Sequence, residues 1–505
     1  MNQPTEAVSI SPQTRTFKRE LGLRSSTMIV MGSMIGSGIF IVSADIARTV
    51  GSPGMLLLVW AITGILTLIA ALSYGELAAM MPEAGGQYVY LREAYNPLIG
   101  FLYGWTLFLV IQTGTIAAVA VAFAKFTAIF IPALSEKNML FSLGNFNISA
   151  AQVFAIFSLI VLTAINMRGV KEGKIIQDIF TLSKIIALFG LIAVGLTIGA
   201  NETALKANFG EAFWKSAWTK VADGKIISVE TLSGLGLWAA VGVAMVGSIF
   251  SSDAWNNITF TAGEVINPKR NIPLSLALGT GAVTLIYLLA NVSYLVVLPL
   301  QGTPDGTDAL ARGIQFAELD RVGTAAMSVV FGDLALYLMA ALIMISTFGC
   351  NNGLILAGAR VYYAMSNDGL FFKKAGTLNE KSVPAFALVI QCVWASVLCL
   401  SGSYGDLLDY VVFAVLLFYI LTIAGIFMLR KTKPDAERPY KAIGYPVLPA
   451  LYIVLAAAIC IDLLIFKPNY TYPGLLIVLL GVPVYFLWKK QLRKNDICED
   501  SRQTL

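Results

Sequence analysis

Gly32-Ser33-Met34-Ile35-Gly36-Ser37-Gly38-Ile39-Phe40 stands in the middle of the first apolar run of the chain, and it does not read as continuous helix. Its three glycines each lower helix propensity by about 1 kcal/mol relative to alanine. A second interruption, Gly247-Ser248-Ile249-Phe250-Ser251-Ser252-Asp253-Ala254-Trp255-Asn256-Asn257, puts a polar run inside a later apolar stretch. Lipid offers unwound backbone no hydrogen-bond partners, so within a bilayer such backbone survives only where it lines a wet cavity enclosed by protein. These two stretches therefore decide how the rest of the chain is read.

The surroundings are membrane-like. Of 505 residues, 57% are hydrophobic and 13% charged, with a mean hydropathy of +0.75; a soluble domain carries about 25% charged residues. At roughly 20 apolar residues per helix, such a chain holds about ten to fourteen spans and no large soluble domain. The net charge of +5 is too weak and dispersed for a nucleic-acid partner. The absence of histidine excludes His-ligated zinc or haem and the usual Ser/His/Asp and Cys/His nucleophile systems. Cys350, Cys392, Cys399 and Cys460 lie in apolar runs and Cys498 in a charged tail, with no CxxC pair, so neither a metal site, a cofactor nor a disulfide framework is expected. The polar first 25 residues contain no apolar segment of a cleaved signal peptide.

Apolar runs fall at about 26–50, 54–80, 98–130, 150–167, 175–200, 235–262, 272–298, 326–362, 384–402, 406–430, 446–465 and 471–488, which makes twelve spans. The expectation is an all-α polytopic membrane protein. A tail over 1–25 precedes a single transmembrane domain over 26–488, and a second tail covers 489–505. The tails and the loops on their side hold 23 Lys and Arg, against 9 in the opposite loops. The positive-inside rule then places both termini in the cytoplasm, and the protein in a plasma (inner) membrane.

Three basic residues fall within or at the ends of spans. Lys125 and Arg360 are expected to snorkel to an interface. Lys184 lies deeper, where an unpaired cation costs several kcal/mol, and is a functional candidate by default. Glu76, Glu93 and Glu264 read as solvated span ends or as partners of Arg92, Lys269 or Arg270.

Spans 1 and 6 occupy corresponding positions if spans 1–5 and 6–10 form inverted halves, about 26–200 and 235–430. Paired interruptions of this kind point to a substrate site at the membrane midplane. The competing explanation for small residues in a span is close helix packing, and it is preferred for Gly64 in span 2.

A break leaves N–H groups unpaired at the start of the second half-helix, where the helix dipole is positive. The amides of Ser37 and Gly38, with the Ser37 hydroxyl, suit a carboxylate. Carbonyls around Met34, Phe250 and Asp253 suit an ammonium, so the two breaks together would recognise a zwitterionic α-amino acid. Ser251 joins this substrate-binding set, and Phe250 can close over the site as a thin gate. Asn256 can bond to the loop or the substrate, and Trp255 can orient the second half-helix or simply pack. Asp253 can meet a cationic or polar substrate group, carry a coupled proton, or face water. The Lys184 ammonium could bond to the broken span 1 and to span 8, in the place a sodium ion takes in other transporters.

Several motifs carry a resemblance. Ile35-Gly36-Ser37-Gly38-Ile39-Phe40, Gly51-Ser52-Pro53-Gly54, Tyr74-Gly75-Glu76-Leu77 and Gly85-Gly86-Gln87-Tyr88-Val89-Tyr90 resemble the L-type (LAT) branch of the amino acid, polyamine and organocation (APC) superfamily. Trp255-Asn256-Asn257, Glu264 through Pro273 and Phe348-Gly349-Cys350-Asn351-Asn352-Gly353 look like the same branch. The resemblance covers residues 20 to 385. It implies a LeuT-like fold of five-plus-five inverted repeats with two extra helices, and sodium-independent amino acid transport, usually by exchange. It also implies Ser37 and Gly38 as carboxylate binders, and the Met34, Phe250 and Asp253 carbonyls as ammonium acceptors. Phe250 would be the gate, Asn256 a substrate-site asparagine and Lys184 the stand-in for sodium. Asp253 departs from the glycine usual in animal members. No cysteine lies between Pro132 and Ser149, so the disulfide that animal members make to a heavy chain is not expected. The chain reads as a bacterial-type, stand-alone member.

The expected function is sodium-independent exchange of neutral L-amino acids by alternating access. Within transport, the alternative is proton-coupled uptake, or uptake of cationic amino acids or amines. A membrane nutrient sensor is the alternative from another class, and it would need an output domain. An enzyme is disfavoured because no nucleophile-base pair is recognisable.

Overall fold

The first apolar run folds as two helices. In a computed structural model that describes residues 16–143, 146–222, 224–401 and 404–503, Leu23–Met34 ends where Ile35 turns to extended backbone. Gly38–Phe40 makes a single 3-10 turn, and helix resumes over Ser43–Val50. Residues 1–15 of the expected tail lie outside the described residues. The second interruption behaves likewise. Gly234–Ser251 stops at Ser252, Ala254 takes a left-handed φ of 64°, and helix returns briefly over Asn257–Phe260. A left-handed alanine costs roughly 1–2 kcal/mol, so the surrounding packing must hold this kink.

Ten helices among the described residues are long and apolar enough to cross a membrane. They coincide with ten of the twelve expected spans. Of the other two, span 1 is the broken pair and span 9 is the 17-residue helix Ala385–Ser401. Local sequence sets several boundaries. Pro53 and Pro97 open their helices, the Asn96 side chain caps the Ile99 amide, and a Ser149–Gln152 capping box starts Ala150–Met167. Ile65, Phe157, Ile186, Val393 and Leu487 are each more than half exposed, forming an apolar exterior suited to lipid.

Some expectations need correction. The chain is not purely α: antiparallel hairpins pair Met139–Leu143 with Phe146–Ser149, and Ala217–Ala222 with Lys225–Thr231. These loops alternate side chains to two faces and carry β-branched residues, which helix periodicity overlooks. The segment after 488 is helical, since the helix Pro468–Gln503 runs on through it. Span 8 is divided into Val322–Phe331 and Leu334–Asn367, with Gly332 at φ 54° between them.

Arg360 does not snorkel. It is 1% exposed and donates from Nε and Nη2 to Glu264 Oε1, at 3.0 and 2.9 Å, with Glu264 equally buried. Glu76 receives Arg430 at 2.9 and 2.7 Å and the Ala442 amide at 2.7 Å, so its partners come from the end of span 10 and the loop after it rather than from Lys269 or Arg270. Glu93 pairs with Arg92, as expected, and also with Lys433 at 2.8 Å. The Lys433 hydrogen bond holds the Glu93 carboxyl below the usual range. Each missed partner sits more than 90 positions away, beyond the reach of helix-spacing arguments.

Gly64 packs as expected. A Cβ there would meet Thr284 Cγ2 at 2.1 Å, so it lets the helices Pro53–Met80 and Pro268–Val297 approach closely.

Candidate functional site

The end of the first half-helix exposes a row of carbonyls, and the protein supplies a partner for each. Lys184 Nζ donates to Gly32 O at 2.6 Å and to Ile35 O at 2.7 Å. It also reaches Ser346 O on Leu334–Asn367 at 3.2 Å. The Cys350 thiol donates to Ser33 O at 3.0 Å, and the Ser346 hydroxyl lies 3.1 and 2.9 Å from the Ile35 and Gly36 oxygens. Lys184 is 1% exposed. Its ammonium has three donors and meets three carbonyls, so a cation that would be costly in an apolar span is fully hydrogen-bonded.

Met34 O accepts from the Tyr287 hydroxyl at 3.1 Å, and the same hydroxyl lies 3.1 Å from Ser251 O in the other break. A hydroxyl carries one proton, so Tyr287 donates to one of these carbonyls at a time. Gly38 packs directly on Ser251: a Cβ at position 38 would lie 2.0 Å from Ser251 Oγ and 2.8 Å from its Cβ. Ser251 in turn donates to Gly247 O at 2.8 Å. Met34, Ser37, Gly38 and Ser251 are buried together, and Phe250 is half-buried against the core. The Gly38 and Ile39 amides come ahead of the first amide that closes the new turn, Phe40 N–H to Ser37 O at 3.1 Å. Phe250 O accepts the Asp253 amide at 3.2 Å within the kink.

Asp253 and Asn256 face a different space. They line a narrow cavity of about 320 Å³ with Gln87, Tyr103, Gln112 and Tyr419. The residues at the junction of the two breaks are not in its lining. Asp253 Oδ1 accepts from the Tyr419 hydroxyl at 2.5 Å. Asn256 Nδ2 donates to Gln87 Oε1 at 2.9 Å, and Gln87 Nε2 donates to Thr422 Oγ1 at 3.0 Å. This chain ties the second break to the loop helix Gln87–Ala94 and to Val411–Thr432. Trp255 packs: its ring lies edge-on to Tyr74 at 4.8 Å and tilted against Tyr419 at 5.2 Å.

Sequence reasoning missed Tyr287, Ser346, Tyr419 and Gln87 as parts of this arrangement. Tyr287 and Tyr419 are single tyrosines in apolar runs and carry no signal. Ser346 opens the polar run to Asn352 inside span 8, which was a usable signal, and Gln87 lies in a quoted motif. Among the described residues no cluster of His, Cys, Asp and Glu could hold a metal ion.

Residues 21–482 match the amino acid permease family. The chain is 28% identical over 487 residues to the human b(0,+)-type amino acid transporter 1, covering 95% of this chain and 90% of that one. It is 30% identical over 481 residues to the mouse large neutral amino acids transporter small subunit 2, covering 93% and 81% respectively. With a family match that spans most of its length and relatives that are amino acid transporters, the chain belongs to the amino acid permease family and is a transporter rather than an enzyme.

Proposed function

We propose that the protein is a sodium-independent exchanger of neutral L-amino acids, working by alternating access. The observation that carries this reading is the Lys184 ammonium bound to Gly32, Ile35 and Ser346 carbonyls. A fixed covalent cation at the first break performs the structural task of a bound sodium ion, and it leaves no need for a sodium gradient. The Ser37 and Gly38 amides take the substrate carboxylate, and carbonyls around Met34, Phe250 and Asp253 take its ammonium. Phe250 closes over the bound amino acid with Ser251 beside it, and Asn256 meets the substrate from the narrow cavity it lines. The names of the relatives support amino acids as the substrate class.

On this reading the ten long helices, the broken pair and Ala385–Ser401 make twelve spans arranged as two inverted five-helix repeats with two extra helices. Both termini lie in the cytoplasm of a bacterial-type cell, and no disulfide-linked heavy chain is needed. Asp253 favours a second reading, in which a cationic side chain or a proton is carried: its carboxylate lines a cavity and is bound by Tyr419.

The test is uptake of labelled amino acids into proteoliposomes in sodium-free buffer at equal pH, with and without unlabelled amino acid inside. Uptake that requires internal amino acid supports exchange. Uptake that needs a proton gradient and nothing inside overturns exchange in favour of the second reading, and a sodium requirement overturns the role given to Lys184.

A further inference from the structure

A second cavity, open to its surroundings, lies at the other end of the first break. It is lined by Ile41, just past the Gly38–Phe40 turn, and by Lys125, Phe126, Glu136, Asp320 and Arg321, among others. The positive-inside reading puts this face outside the cell.

Its charges are unevenly satisfied. Asp320 is taken by Arg48, whose guanidinium reaches both carboxylate oxygens at 2.6 and 3.2 Å. The Arg321 side chain has no ion pair or hydrogen bond among the described residues, its buried Nε is without a partner, and the Glu318 and Glu136 carboxylates act on its charge from nearby. Its guanidinium lies 5.0 Å from the centre of the Phe126 ring, which leaves the donors free at their edges. Lys125 likewise has no ion pair among the described residues. Glu136, also unpaired among them, is the one opposing charge left in the lining, and Glu318 is engaged by Arg312 at 3.8 Å. The backbone holds this division in place. Leu319 and Asp320 are consecutive non-glycine residues at φ 53° and 59°, a strained turn of the kind found at functional sites. The turn brings Asp320 onto Arg48, while Arg321 lines both this cavity and a neighbouring pocket that holds Glu318 and Asp333.

We propose that this cavity is a staging site for the incoming amino acid, in which the Arg321 guanidinium and the Lys125 ammonium receive its carboxylate before it reaches the broken helices. The proposal rests on the reading of the protein as an amino acid transporter. Two free cations beside one free carboxylate match the charges of a zwitterion with its acidic end toward Arg321. They raise the local concentration of substrate on one face only.

The test is KM and maximal rate for exchange measured separately from each face, in proteoliposomes of defined protein orientation. For the Lys125→Gln/Arg321→Gln variant the expected result is a rise in external KM of about tenfold, with internal KM and the saturating rate unchanged. Arg321→Lys should restore most of the loss, and Lys137→Gln, an exposed lysine outside the lining, should have no effect. External KM of the unmodified protein should rise with salt and that of the double variant should not. An unchanged external KM, an equal rise at both faces, or the same salt response in both proteins would overturn the proposal. If the double variant does not fold, the salt response of the unmodified protein and the single variant Lys125→Gln decide the matter. Absence of any amino acid transport by the unmodified protein fails the underlying reading instead, so the two failures are distinguishable.

Discussion

Lys184 and Ile35 stand 149 positions apart and meet at 2.7 Å, the lysine Nζ donating to the isoleucine carbonyl oxygen where the first helix comes apart. The bond explains how a broken helix persists in an apolar surrounding: its loose carbonyls are capped by a cation from a neighbouring helix.

Replacing that cation should therefore damage both shape and transport. Lys184→Ala leaves buried carbonyls unpaired, at about 1–3 kcal/mol for each group so stranded. Exchange is expected to fall by roughly tenfold or more, with a lowered melting temperature for a still-folded protein in detergent. Counterflow at the unmodified rate would remove Lys184 from the mechanism.

The two glycines of the break should respond differently. A Cβ at position 38 would press on Ser251 at 2.0 Å, whereas one at position 36 would meet only Cys350 Sγ at 3.6 Å, an ordinary contact. Gly38→Ala should lose about 1–3 kcal/mol of stability through overpacking, and most of the transport with it. Gly36→Ala should keep both within a small factor. Equal behaviour of the pair in a thermal shift and counterflow assay would contradict the packing described for this junction.

Phe250 sits half-buried at the edge of the second break. Phe250→Ala is expected to slow exchange, or to let bound amino acid leak, while the melting temperature changes little. Unimpaired exchange would reduce Phe250 to packing.

Asp253 tests the choice between substrates. Asp253→Gly removes the acceptor of Tyr419 and, among the described residues, the only carboxylate in the lining of the narrow cavity. The expected outcome is a changed preference between neutral and dibasic amino acids, or a changed pH profile of exchange, measured over a substrate panel. An identical profile would mean that Asp253 neither meets the substrate nor carries a proton, and serves only to hold Tyr419.

The buried Glu264–Arg360 pair offers a check on stability. Removing one member by Arg360→Met strands a buried carboxylate, at a cost of about 3–5 kcal/mol. Removing both in Glu264→Gln/Arg360→Met should recover much of the lost melting temperature. A double variant as unstable as the single one would show that Arg360 acts through packing.

Much of this architecture was legible in sequence because membrane helices announce themselves by length and hydropathy, and because Gly32 to Gly38 and Ser251 to Asn257 are polar or helix-breaking where lipid tolerates neither. Lys184 could be singled out for the same reason: a lone charge in a span needs an explanation. Partners were another matter. That Tyr287 touches both breaks, that Tyr419 reaches Asp253, and that Arg360 turns inward to Glu264 depends on which faces of distant helices meet. A nearly uniform apolar helix gives periodicity little contrast from which to read a face. The hairpins were missed because short polar loops carry weak strand signals beside such strong helices.

The clasp on the first break is made to main-chain oxygens, which every amino acid carries. The chemistry of Lys184 and Ser346 therefore places no demand on the side chains of the segment they hold, and the remaining constraint there is one of volume: a Cβ at Gly32 would lie 2.0 Å from Gln177 Nε2 and 2.2 Å from Thr181 Oγ1. Drift along this segment is filtered by size rather than polarity, so neighbouring positions in the break can change without rebuilding the joint that keeps the helix open.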